Sequence, residues 1–214
     1  MKMPERLNRR EAVRYLGGSR VEMNAEMEKL MDECEAELLS RARPRYIYKE
    51  IALPDERIIA GEDIKKHLRG CGSAVLLGAT LGAETDRLIR EMQVRDMAKA
   101  VVLDSLASVA VEEVCRRADR LIAAEHPDKY MTFRFSPGYG DYPIKLQKTF
   151  LTLLDAPRKI GLSMNGSFLL VPSKSVTAIA GLSDSPVERQ RRGCAVCNLR
   201  QTCKYRRNGE HCGF

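Results

Sequence analysis

The sequence predicts an α+β fold, a largely antiparallel twisted sheet flanked by helices, followed by a C-terminal cysteine-rich tail. Three observations carry that reading. Several segments repeat apolar residues at the helical step of three and four, whereas Arg45–Leu53 alternates and Ser73–Gly78 is a short, apolar, glycine-bounded run. The two kinds of segment do not alternate regularly, as a parallel sheet with helical crossovers requires. Four of the seven cysteines crowd into residues 194–212, in a stretch too polar to make its own core. Ser183-Asp184-Ser185-Pro186 is the expected hinge, dividing residues 1–186 from a tail at 187–214.

Taken in order, Asn8–Leu16 reads as a short opening helix. Asn8 is its N-cap, Glu11 follows three residues on, and Gly17-Gly18 ends it. Val21–Ser40 is a second helix, with Met23, Met27, Leu30, Met31, Cys34 and Leu38 on one stripe, so Cys34 is expected in the core. Pro44 closes it and the strand Arg45–Leu53 follows. Gly61–Leu68 is a short helix carrying His67, a lone histidine expected at the surface. Ser73–Gly78 is a buried strand, Ala83–Met92 a helix, and Asp96–Ala124 a long one.

In the long helix Ser105, Ser108, Glu112 and Cys115 share a face, and Ala100, Ala107 and Ala110 allow close approach to the sheet. Glu112 sits inside the run Val109–Val114, where a carboxylate is either solvated or engaged by a partner. Met131–Phe135 is a strand entering a loop, and Leu146–Leu154 is a helix. Gly161–Val171 and Ser175–Gly181 are expected to pair as a hairpin around Pro172-Ser173-Lys174. No internal repeat is present.

At 214 residues and 44% hydrophobic content the chain can bury a substantial core, as one domain or one domain with an appendage. No apolar run approaches the roughly 18 residues of a membrane span, and the N-terminus lacks a signal-peptide stretch. A cytoplasmic location is expected, and an odd cysteine count without an export signal argues against a disulfide framework. The net charge is +7, and the segment from Glu188 onward supplies five of the excess charges. With no tryptophan and no stacking-aromatic pattern, that tail suits an acidic protein partner or solubility better than nucleic acid.

The most informative stretch is Arg134-Phe135-Ser136-Pro137-Gly138-Tyr139-Gly140-Asp141-Tyr142-Pro143. Each proline fixes φ near −65° and each glycine permits positive φ, so the loop has little freedom left to lose on binding. By composition alone it reads as an ordinary turn. Its pattern Arg-x-x-x-Gly-Tyr, followed shortly by Pro, resembles the signature of the activation domain of cobalamin-dependent methionine synthase. Leu76–Glu84 sits where that family has a strand ending in a glycine turn. Lys159–Asn165 and Pro172–Ile179 resemble the family's closing strands. The likeness covers roughly residues 70–182 and departs at two places. Gly140 stands where the family has proline, and Val176-Thr177 stand where it has a tyrosine pair near the ligand.

The resemblance implies a site for S-adenosylmethionine. Arg134 would hold the ligand carboxylate, and Tyr139 and Tyr142 would offer ring faces to adenine or sulfonium. Backbone groups of Ser136 and Gly138 would reach the adenine edge, and Glu112 would take the ammonium or a ribose hydroxyl. No residue among these is a nucleophile or general base, so the implied role is positioning. The family's task is reductive methylation of cob(II)alamin. The implied partners are a cobalamin-dependent methionine synthase, or a related corrinoid protein, and a low-potential electron donor such as flavodoxin or ferredoxin. Starting at its own Met1, without room for catalytic or cobalamin modules, the chain is expected to be a free-standing reactivation factor. The alternative is an interaction or sensor module that binds S-adenosylmethionine or a macromolecule without corrinoid chemistry.

The second motif is Cys194-x2-Cys197-x5-Cys203-x8-Cys212. Thiolates at such spacing converge on one metal centre, and the nearby Arg and Lys side chains favour the thiolate. Zinc more often shows two close knuckles, while spread cysteines suit wrapping an iron–sulfur cluster. Iron–sulfur, structural zinc and free or redox-active thiols all stay open, with His211 as a substitute ligand. Cys34, Cys71 and Cys115 read as structural.

Overall fold

A computed structural model describes residues 6–17, 21, 23–187, 201–203 and 207. In chain order the elements are α1 (Arg9–Leu16), α2 (Ala25–Arg41), β1 (Arg45–Ala52), α3 (Glu62–His67), β2 (Ser73–Thr80), α4 (Ala83–Arg95) and α5 (Met97–Glu125). There follow β3 (Tyr130–Met131), a 3-10 turn (Ile144–Leu146), α6 (Gln147–Leu154), α7 (Ala156–Ile160), β4 (Ser163–Met164), β5 (Leu170–Val171) and β6 (Ser175–Ser183). The fold is α+β, as expected. Four strands in the order β1-β2-β6-β3 form one antiparallel sheet, and β4 pairs with β5 separately.

β2 lies inside the sheet, running from Arg45↔Thr80 to Ala52↔Ser73 against β1 and from Ser73↔Leu182 to Thr80↔Ser175 against β6. Both its faces are covered, which is why it reads as a continuous apolar run. Val75, Leu77 and Ala79 join the core beneath α5, while Ala74 and Leu76 join a second core with Phe150, Leu154 and Ile160 of α6 and α7.

α5 has 29 residues and spans about 43 Å at 1.5 Å per residue. The Asp96 side chain accepts the Lys99 amide at 3.1 Å and so fixes its start. Ser105–Ala107 and Val109–Val111 are buried consecutively, so this helix is enclosed on more than one stripe. The sheet lies on one side of it, and α1, α2 and α4 pack around the rest. The Ser105 hydroxyl donates to Ala12 O at 2.6 Å, tying α5 to α1.

Several expectations are met locally. The Asn8 side chain accepts the Glu11 amide and Gly17 closes α1 at φ 137°. Cys34 and Cys115 are buried free thiols, and burial pushes them up to about 11 and about 12. Other expectations are corrected. α2 begins at Ala25 because the Asn24 side chain caps the Met27 amide at 2.9 Å, leaving Met23 exposed outside the helix. His67 is buried instead of lying at the surface: its Nε2 is 3.0 Å from Thr132 Oγ1, and its ring packs on Phe133 and Phe135.

The hairpin expected between Gly161–Val171 and Ser175–Gly181 does not form. The Asn165 side chain accepts the amides of Ser167 and Leu169, turning the chain back early so that β5 pairs with β4. β6 instead takes the slot between β2 and β3.

Among the described residues no helix is long and apolar enough to cross a membrane. Cys194, Cys197 and Cys212, with most of the 187–214 tail, lie outside the described residues, and Cys203 is a partly buried free thiol. Leu106 is fully buried in α5 while Leu121 of the same helix is about half exposed. Leu106→Ala is therefore expected to cost about 2–5 kcal/mol in urea unfolding, against about 0.5 kcal/mol or less for Leu121→Ala.

Candidate functional site

The site begins at a break in the β3–β6 ladder. Met131 faces Leu182, and Phe135 faces Ile179. Four steps on one strand thus match three on the other, and one extra residue is bulged out between them. The Thr132 amide donates to Gly181 O at 2.9 Å, and the Thr132 hydroxyl oxygen accepts the Gly181 amide at 2.8 Å. Phe135 and Ile179 then exchange both backbone bonds at 2.8 Å.

The extra residue reverses which face each later side chain takes. Met131 packs with the core beneath α5, Phe135 with the opposite core, and Arg134 is turned toward α5. There its Nη2 donates to Glu112 Oε2 at 2.8 Å and its Nε to Asp119 Oδ2 at 3.0 Å. Glu112 and Asp119 are two helical turns apart on one stripe, with Cys115 buried between them.

The three side chains are 18%, 33% and 26% exposed for Arg134, Glu112 and Asp119, so the cluster is half-sheltered but open to solvent. Burial works against the charge on Arg134, yet neighbouring Cys115, Glu112 and Asp119 outweigh it and raise its pKa. At neutral pH the carboxylates do this, since the Cys115 thiol is protonated. Burial raises the Asp119 pKa, with Arg134 opposing. The Arg134 Nη1 has no partner among the described residues, so the guanidinium keeps donors for a further anion.

The loop that follows is clamped at both ends. Gly138 N donates to Tyr142 O at 2.8 Å and Tyr142 N to Tyr139 O at 2.9 Å. Asp141 accepts the amides of Glu62 and Asp63 at the start of α3, and Asp63 in return accepts the Asp141 amide at 3.2 Å. Gly140 has φ 54°, and a Cβ there would stand 2.1 Å from Asp63 Oδ2. That reciprocal capping explains glycine at the position where the resemblance has proline.

The structure thus brings Glu112 and Arg134 together and sets Ser136, Gly138 and Tyr139 in the adjoining loop, Tyr139 being 61% exposed. It separates Tyr142 from them. The Tyr142 side chain is buried beside Phe135 and Phe150, and its hydroxyl donates to Ile58 O at 2.8 Å. Its ring face is core, and its part is to anchor the loop from beneath. Thr177 is buried with its hydroxyl on Gln147, and Val176 packs beside the core under α5, so neither supplies an aromatic surface. Sequence reasoning missed Asp119, although its place seven residues after Glu112 on the same stripe was a usable signal.

With this geometry the chain is an α+β domain of the reactivation-domain fold. The likeness is to the crystal structure of the MetH reactivation domain bound to AdoHcy, with a TM-score of 0.60 and 15% identity, over 99% of this chain and 89% of that one. No family model and no curated protein matches the chain. The shared fold agrees with the architecture expected from the loop signature.

Backbone amides of Glu62 and Asp63 hold the Asp141 carboxyl below its ordinary value of 3.8. A depressed folded pKa means that the cap contributes above the unfolded value and is lost as pH falls through the folded one. The protection of the Glu62 and Asp63 amides against hydrogen exchange, relative to the unstructured chain at the same pH, is expected to fall on acidification below 3.8. In Asp141→Asn that acid-dependent step should be absent.

Proposed function

We propose that this protein binds S-adenosylmethionine and supports reductive methylation of cob(II)alamin in a partner cobalamin-dependent methionine synthase. The observation that carries the reading is the placement of Arg134 and Glu112 beside the Arg-x-x-x-Gly-Tyr loop, in a fold like that of the MetH reactivation domain bound to AdoHcy. The amino-acid end of the ligand has a carboxylate and an ammonium, and the site has a guanidinium with donors in reserve and a carboxylate next to it. In this reading Glu112 exchanges its bond to Arg134 for one to the ammonium, and Arg134 turns its unused edge to the carboxylate. Charge-assisted bonds of this kind contribute about 1.5–3 kcal/mol.

Ser136 and Gly138 offer backbone groups to the adenine edge, and Tyr139 offers its exposed ring. The clamped loop arrives with its conformation already formed, which lowers the ordering cost of binding. When bound to the partner, cobalamin reduced by one electron from a low-potential donor such as flavodoxin or ferredoxin would supply the acceptor for the methyl group, leaving S-adenosylhomocysteine on this chain. The residues of this chain hold and present the donor, without nucleophile or general base. Tyr139 faces open solvent, as presentation to a second macromolecule requires.

Arg134→Ala is expected to weaken S-adenosylmethionine binding roughly ten- to hundred-fold by calorimetry. The same variant should lose methylcobalamin formation when mixed with cob(II)alamin-loaded synthase and a low-potential reductant. Unchanged affinity would remove the arginine from the site. Binding without methylcobalamin formation by the wild type, on any corrinoid partner tried, would favour a sensor role.

In the tail, Cys194, Cys197, Cys203 and Cys212 are proposed to hold one metal centre, an iron–sulfur cluster in preference to zinc. Anaerobically prepared protein should then contain iron and acid-labile sulfide. Stoichiometric zinc without iron would assign a structural site, and metal-free protein would reject both.

A further inference from the structure

We propose that the open sheet edge at the start of β1 docks an extended acidic segment of a partner protein, which adds to β1 as a further strand. The place lies apart from Arg134, and the inference does not depend on the reading of the ligand site. β1 is the outermost strand in the order β1-β2-β6-β3, so its outer side has no strand partner among the described residues. Alternate backbone N–H and C=O groups of such a strand point outward and template pairing with another chain. An open groove of about 710 Å3 lies over the start of this edge, with α5 along one side and α7 along the other.

The groove carries positive charge on both faces of the sheet. Tyr46 packs with the core beneath α5, so its neighbour Arg45 points to the opposite face, where α7 contributes Lys159. On the α5 side stand Arg117 and Arg120, with Leu121 about half exposed beside them. No carboxylate lines the groove among the described residues. The acids on adjoining turns are engaged: Glu113 by Arg116 and Arg120, Asp119 by Arg134, Asp155 by Arg158, and Glu125 by the Tyr48 hydroxyl. Arg120 acts on both Glu113 and Asp119, so the surplus rests chiefly on Arg45 and Lys159, which form no ion pair among the described residues. Successive side chains of an added strand alternate between the two faces. Neighbouring acidic residues in it therefore meet Arg45 and Lys159 on one face and Arg117 and Arg120 on the other. That division of charge across a strand edge favours an extended segment over a compact anion. The stacked rings of Tyr46 and Tyr48 add an apolar surface alongside.

The test is fluorescence anisotropy of the full chain with a dye-labelled octapeptide in which three adjacent glutamates are flanked by valine and threonine. The peptide should bind, more weakly as salt rises, and hydrogen exchange should slow at the β1 amides that face away from β2. Its glutamine counterpart should bind roughly tenfold more weakly, since several exposed charge pairs are lost together. A version with proline at alternate positions keeps the charge but lacks the N–H groups for pairing, and it should bind as poorly. Lys159→Glu and Arg45→Glu should each weaken the glutamate peptide roughly tenfold. Lys29→Glu, an equal charge reversal at an exposed position of α2, should leave it unchanged. Should Arg45→Glu fail to fold, Lys159→Glu, at an exposed position of α7, decides alone. No binding of the glutamate peptide, equal binding of the proline version, or affinity untouched by Lys159→Glu overturns the proposal. Inorganic tripolyphosphate binding as tightly as the peptide, with β1 exchange unchanged, assigns a small-anion site and overturns it too.

Discussion

The enclosure of α5 is the constraint on which the rest of the structure depends. Residues 105–107 and 109–111 are buried consecutively, so this helix cannot be satisfied by a sheet alone. It needs apolar surface on a second side, and α1, α2 and α4 provide it. Ala100, Ala107, Ala110 and Ala118 keep its surface low where it is enclosed. Once α5 is clamped between these layers, its polar positions have few directions left. Glu112 and Asp119 point to the margin beside β3, where the sheet ends and the helical layer does not close over them.

The β3 margin is where regular structure gives way to chemistry. One extra residue between Met131 and Phe135 lets the strand keep its hold on β6 while exchanging faces. Phe135 then enters the aromatic core with Tyr142 and Phe150, and Arg134 meets α5. The same bulge places the Thr132 hydroxyl between the Gly181 amide and buried His67. The histidine thus acts as a brace under the strand that carries the arginine. On the far side of the loop, Asp63 and Asp141 cap each other's backbone and join the loop to α3. The arginine is therefore fixed by α5 and by a strand and loop that are themselves braced. A positioning site asks for little more, since the reacting centre is supplied from outside.

Electrostatics gives this margin its character. A single guanidinium stands here between two partly sheltered carboxylates. Beside it on α5 the ratio is reversed, with Arg116 and Arg120 sharing Glu113, so the excess charges of the two clusters offset each other. The fold likeness at 15% identity shows how far the sequence can change while this architecture persists. Layer packing depends on volume and apolar pattern, which many sequences satisfy.

By itself the sequence determined what local chemistry decides. Asn8 and Asp96 mark helix starts because a short side chain must satisfy free amides, and Gly17 marks an end because it accepts positive φ. The unbroken apolar run of β2 announced a strand covered on both faces. The loop from Arg134 to Pro143 declared itself by glycine and proline alone. Only the tertiary structure decided the partners. The bulge that turns Arg134 to α5 is a matter of register between segments far apart in sequence, and no local pattern encodes it. Asp119 entered the site for the same reason. Tyr142 and His67, polar enough to suggest a surface role, were drawn into the core because Ile58 O and Thr132 Oγ1 were placed to satisfy them. β6 paired with β2 and β3 instead of β5 because Asn165 had already turned the chain, so its free edges met the strands that needed a neighbour.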